Sequence, residues 1–161
     1  MNDRCYRRDY QERHDIDWFA IYKGIPVHVA SNGGLLPRQI KKNRNKQMQS
    51  MLALGELSER EVRVNEGWIS ELQRRRREDA SGTGIEFNND TYLQSFLEFA
   101  SKGFVSIDNA IINDEQQYVV VAYPQDRTEL LKTEENFLGE LRLPEIPDEA
   151  LQNINIENLW R

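Results

Sequence analysis

The stretch Asp17-Trp18-Phe19-Ala20-Ile21-Tyr22-Lys23-Gly24-Ile25-Pro26-Val27-His28-Val29-Ala30 decides the fold. Two runs rich in aromatic and β-branched side chains flank a two-residue X-Gly pair, which is the pattern of a β-hairpin. Pro26 has no N–H to give to a ladder and belongs at a strand start or a sheet edge. A second hairpin is expected further along, from Phe104–Ile112 and Gln117–Tyr123 around Asn113-Asp114-Glu115-Gln116. Its run Tyr118–Tyr123 is apolar on both faces, which suits a central strand.

Helical patterns fill the space between and beyond the hairpins. Pro37 opens a predicted helix over 37–54. Its first half is basic with only Ile40 apolar, whereas Met48, Met51, Leu52 and Leu54 are spaced to cover a core face. Ser58 with Glu61 forms a capping-box pattern, and a helix from there to Arg77 would bury Val62, Ile69 and Leu72. Gly67 would weaken its middle, and Glu61–Asn65 alternates like a short strand instead. Residues 80–88 read as a flexible connector. Asn89 or Asp90 caps the clearest helix, with Tyr92, Leu93, Phe96, Leu97 and Ala100 recurring at three and four residues before Lys102-Gly103 ends it. Asp126 with Glu129 resembles the cap of a helix to about Leu138.

These elements predict an α+β domain over residues 15–140: two β-hairpins in an antiparallel or mixed sheet with three to four packed helices. Residues 1–14, mostly charged, read as an extended N-terminal arm. Residues 141–161, set off by Pro144 and Pro147, read as a C-terminal arm with apolar anchors. The chain has 161 residues and 39% apolar residues, enough for one hydrophobic core. No run approaches a membrane span, the Arg- and Asp-rich N-terminus is not that of a secretory signal, and the single Cys5 forms no internal disulfide. A cytoplasmic protein, possible component of a larger particle, is the expectation.

Charge is unevenly distributed. Residues 1–77 carry 16 Lys+Arg against 10 Asp+Glu, and residues 78–161 carry 5 against 17, so halves of +6 and −12 lie within a net charge of −6. Such polarity suits a charged partner, or copies of the chain meeting head to tail. Two basic groups are candidates for contact with an anionic partner: Arg38, Lys41, Lys42, Arg44 and Lys46, and the run Arg74, Arg75, Arg76, Arg77. The second run sits at a helix end, where the helix dipole favours cations without any partner. The first sits at a helix start, where cations cost stability. In the tail, Ile154, Ile156, Leu159 and Trp160 are candidate anchors for a partner or for the chain's own domain, and Ile154 and Ile156 have the spacing of an added strand.

Catalytic and cofactor signatures are not expected. His14, His28 and Cys5 lack metal-ligand spacing, so neither a metal nor a cofactor is predicted. His28 and Ser31, three apart on a strand, point to opposite faces and cannot form a nucleophile–base pair. Gly33 and Gly34 match no phosphate-binding fingerprint and read as loop positions needing positive φ. The first expectation is therefore a non-enzymatic structural or adaptor subunit of a multi-subunit assembly, ring-like or virus-particle-like, contacting neighbours through complementary charge and terminal arms. A nucleic-acid-binding accessory protein using Arg38–Lys46 and Arg74–Arg77 is the alternative. A small hydrolase or nuclease using His28 and hairpin acids ranks last.

Overall fold

The computed structural model describes residues 5–80, 88–132 and 142–161, with the side chains of Asp79 and Ala80 left aside. Both hairpins form as their sequences dictate. Strands β1 (Asp17–Tyr22) and β2 (Ile25–Ala30) pair antiparallel. Lys23 and Gly24 between them both take positive φ, 50° and 74°, the two-residue turn that matches strand twist. Strand β3 (Val62–Val64) follows from the Glu61–Asn65 alternation. Strands β4 (Val105–Ile112) and β5 (Glu115–Pro124) form the second hairpin, with Asn113 and Asp114 at φ 51° and 63°. A short strand β6 (Glu145–Ile146) completes a six-stranded mixed sheet in the order β3-β5-β4-β2-β1-β6. The two hairpins join through the parallel pair β2–β4, and β6 runs parallel to β1.

Among the described residues five helices pack around this sheet: α1 (Arg8–Arg13), α2 (Arg38–Lys41), α3 (Arg44–Leu54), α4 (Glu66–Ala80) and α5 (Asn89–Ser101). One sheet face presents Trp18, Ala20, Tyr22, Val27, Val29 and Ile107 to Tyr6, Ile40 and the C-terminal segment. The other presents Ala30, Ala110 and Ala122 to Trp68, Ile69 and Leu72 of α4 and to Phe96 and Ala100 of α5. The start of α4 is set by Asn65, whose Oδ1 accepts from Trp68 N at 3.1 Å. Gly67 therefore lies in the first turn, where its flexibility costs little, rather than mid-helix. The cap of α5 is Asn88, accepting from Asp90 N and Thr91 N, one residue before the expected caps. Asp126 caps only a short 3-10 turn, Arg127–Glu129, and Leu131 N then bonds Gly103 O at 2.9 Å. The remainder of the helix expected to reach Leu138 lies outside the described residues, as does most of the 80–88 connector.

Among the described residues, neither terminal segment extends from the body. Tyr6 is buried, its N–H donates to Lys41 O at 3.0 Å, and the buried Gln11 side chain bridges Tyr6 O and Leu36 N. At the other end, Ile21 N donates to Pro144 O at 2.9 Å and Tyr22 Oη to Asp148 O at 3.1 Å. Leu151 and Ile156 are fully buried on the Trp18–Tyr22 face. The two arms read from the sequence are thus layers of the domain. The physical reason is the Trp18–Ile107 face of the sheet, which is apolar and, among the described residues, lies on the side away from the long helices α4 and α5.

Glutamine side chains cover stretches of β1 and β5 that the short edge strands β6 and β3 leave unpaired. β6 pairs with β1 only at Ile21 and Tyr22, leaving the outward peptide groups of Phe19 without a strand. Gln47 of α3 fills the gap: its Oε1 accepts from Phe19 N at 2.7 Å and its Nε2 donates to Phe19 O at 2.9 Å. At the opposite edge β3 covers only Ala122–Pro124 of β5. There Gln152 accepts from Tyr118 N at 3.1 Å and donates to Gln116 O at 2.9 Å. Each amide stands in for a peptide unit of a missing strand, which satisfies groups that would otherwise recruit another chain.

Candidate functional site

Helix α3 is turned the opposite way from the expectation. Its buried residues are Gln47, Ser50 and Leu54, while Met48 is 52% exposed, Met51 40% and Leu52 81%. The predicted single helix breaks at Lys42-Asn43, and Asn43 at φ −123°, ψ 39° resets the phase of α3. The edge of β1 then selects Gln47 as the inward residue, because burying the Phe19 peptide groups unpaired costs more than exposing three apolar side chains. Leu54 alone of the four predicted core residues reaches the interior, beside Phe19, Phe99 and Phe104.

The outward stripe, Arg44, Met48, Met51 and Leu52, follows helical spacing of four, seven and eight residues. The Arg44 guanidinium lies over the rings of Tyr6 and Tyr10, at 5.6 and 5.2 Å from their centroids. Tyr10 is itself partly exposed, so the aromatic α1 surface continues the stripe. Arg38, Lys41, Lys42 and Lys46 are exposed around it. Among the described residues, none of the five cations from Arg38 to Lys46 forms an ion pair. The surface is apolar along its axis and positive at its margins.

The second basic run is differently placed. Arg74 pairs with Glu71 and Glu78 at 2.7 and 2.6 Å, and Arg75 pairs with Glu71 at 2.6 Å. Hydrogen bonds from Arg74 and Arg75 hold the Glu71 carboxyl down at about 2. Pairs at three and four residues on α4 account for these two charges within the helix. The structure therefore does not bring Arg74–Arg77 together with Arg38–Lys46 as one unpaired basic surface.

The tail residues are placed within the domain. Ile156 is in the core, and Ile154, Leu159 and Trp160 are half-buried against it. Trp160 meets Tyr123 edge-on, and its Nε1 donates to Pro124 O at 2.9 Å. Of the two alternatives for these four side chains, a partner or the chain's own domain, they pack here on their own domain. Ile154 and Ile156 do not form an added strand either.

His28 has partners that sequence reasoning missed. Its Nδ1 hydrogen-bonds Ser106 Oγ at 2.5 Å and its Nε2 hydrogen-bonds Asp17 Oδ1 at 2.7 Å. The register Phe19↔His28↔Ser106 puts these residues on one face, a juxtaposition visible only once β2 and β4 are known to pair in parallel. The order Ser-His-Asp resembles a nucleophilic relay, but Ser106 and His28 are fully buried, with the Phe99 ring 4.1 Å from the imidazole. A nucleophile must touch its substrate, and this hydroxyl has no access to one. Ser31, the nearer serine in sequence, instead accepts from Ile16 N and ties down the N-terminal segment. Gly33 does take positive φ, 75°, whereas Gly34 is required because a Cβ there would collide with the Asn109 amide.

Among the described residues no group of three or more His, Cys, Asp or Glu side chains is arranged to hold a metal, and no helix is long and apolar enough to cross a membrane. Compared with family models, curated proteins and solved structures, the chain matches none.

Proposed function

We propose that this protein is a non-enzymatic subunit of a multi-subunit assembly, and that it docks on a neighbour through the exposed face of α3. The observation that carries this reading is the inversion of α3: Met48, Met51 and Leu52 face outward, although the same helix buries Gln47 and Ser50. Adjacent exposed apolar side chains rimmed by charge favour a protein contact. The occupant is a second copy of the chain. The unpaired cations of 38–46 complement the half of the sequence that carries −12, and a basic patch meeting an acidic one on an identical copy is a heterologous contact that closes into a ring when the rotation permits. Cys5 and the lack of an internal disulfide suit a reducing, intracellular setting.

Light scattering on the purified protein at low and high salt tests the reading. Self-association that weakens with salt and disappears in Leu52→Asp is expected. A strict monomer at high concentration in both conditions overturns it. A second reading rests on the same five cations, which suit a nucleic-acid backbone as well as an acidic protein. Replacing Lys41, Lys42 and Arg44 with Ser should then weaken nucleic-acid binding and flatten its salt dependence. A chain with no affinity for DNA or RNA at low salt removes that reading and leaves the first intact.

A further inference from the structure

We propose that the cleft between α4 and the carboxyl ends of β2 and β4 binds a small organic amine, with the protonated nitrogen held by Asp108. The cleft has a volume of about 620 Å³, within the range of small-molecule sites. Trp68 and Leu72 of α4 and Ala110 of β4 give it an apolar wall, and Asn32 and Asn113 stand among its polar residues.

Asp108 is 8% exposed, and that remainder opens into the cleft. One carboxylate oxygen, Oδ2, accepts from Tyr92 Oη at 2.7 Å, and Tyr92 Oη accepts from Trp68 Nε1 at 3.0 Å. This relay joins α4, α5 and β4 and fixes the carboxylate. Burial and the neighbouring Asp108 charge push the Tyr92 hydroxyl upward, so it stays a donor. Among the described residues Oδ1 has no hydrogen-bond donor, and Asp108 has no Lys, Arg or His ion-pair partner. A carboxylate offers about four acceptor positions, and burying one with a single bond is costly. A donor arriving from the cleft relieves that cost, and a cation relieves it most.

The rest of the lining narrows the class. The acidic residues of the lining, Glu78, Asp108 and Asp114, are not grouped to hold a metal ion among the described residues, so the site suits an ammonium group better than a bare metal ion. The apolar wall favours a hydrocarbon stem. The cations of the α4 side do not fill the ammonium's role: Arg74 is paired with Glu71 and Glu78 and Arg75 with Glu71, so an amine bearing one apolar stem fits the cleft.

Hexylamine is the probe, with hexanol and hexanoate as comparisons. Binding is read by calorimetry and by the NMR signal of the Trp68 indole N–H, which reports the relay directly. Hexylamine is expected to bind and to shift that signal, and Asp108→Asn, which keeps an acceptor for Tyr92, is expected to weaken it by about tenfold or more. Affinity should also fall as pH drops through about 6, where the buried carboxyl takes up its proton. The other charged groups facing Asp108 are Asp15, which opposes that carboxyl's ionisation, and Arg76, which favours it. The pH profile is measured on the unaltered chain, so it decides the matter even where the variant does not fold. The proposal is overturned if hexylamine leaves the Trp68 signal unmoved at millimolar concentration, if hexanol or hexanoate binds as tightly, or if affinity is indifferent to Asp108→Asn and to pH.

Discussion

Asp108 shows how one buried carboxyl sets a pH response. Burial raises its pKa from 3.8 to about 6, against the opposing hydrogen bond from Tyr92. Between those values the folded chain keeps a proton that the unfolded chain releases, so stability is greatest at low pH and falls as pH rises through about 4 to 6. At neutral pH the deficit is at most about 3 kcal/mol. Asp108→Asn removes the charge and retains an acceptor. It should therefore raise stability at pH 7 by up to that amount and flatten the pH dependence between pH 4 and 6. Urea denaturation of both proteins across that interval is the check, and two curves running parallel would refute the assignment.

At the scale of elements, the same helix supplies a contrast between two leucines two residues apart. Leu54 is buried against Phe19, Phe99 and Phe104, and Leu52 is 81% exposed. Leu54→Ala should cost about 2–5 kcal/mol, whereas Leu52→Ser should change stability by no more than about 0.5 kcal/mol. Chemical denaturation at a concentration where the protein is monomeric separates them, and equal losses would mean that α3 is oriented as its sequence first suggests. That orientation was not legible from periodicity, because its phase is fixed by a peptide group on β1, 28 residues away, that needs Gln47. The hairpins were legible because their evidence is local: a period of two, β-branched residues and turn residues able to take positive φ. Likewise α5 was legible from its own apolar spacing. The His28–Ser106 contact and the Trp68–Tyr92–Asp108 relay join residues 78, 24 and 16 apart, and only the parallel β2–β4 pairing and the packing of α4 on α5 bring them together.

For the whole molecule, the decisive question is what the last twenty residues do. An arm that reaches a neighbour adds affinity and leaves its own domain stable when removed. A segment that completes a core cannot be removed without cost. Here Ile146, Leu151 and Ile156 are buried on Trp18, Ala20 and Tyr22, and Gln152 satisfies the outward edge of β5. Fully burying a side chain such as Leu or Ile contributes about 1.5–3 kcal/mol, so three of them approach the whole stability of a typical domain. Removing residues 142–161 should therefore abolish cooperative unfolding in thermal and urea scans. Ile156→Ala, a milder change, should cost about 2–5 kcal/mol while leaving self-association through α3 in place. The opposite pattern, a stable truncated domain that no longer associates, would return the tail to the role of a partner-binding arm and take the interface away from α3.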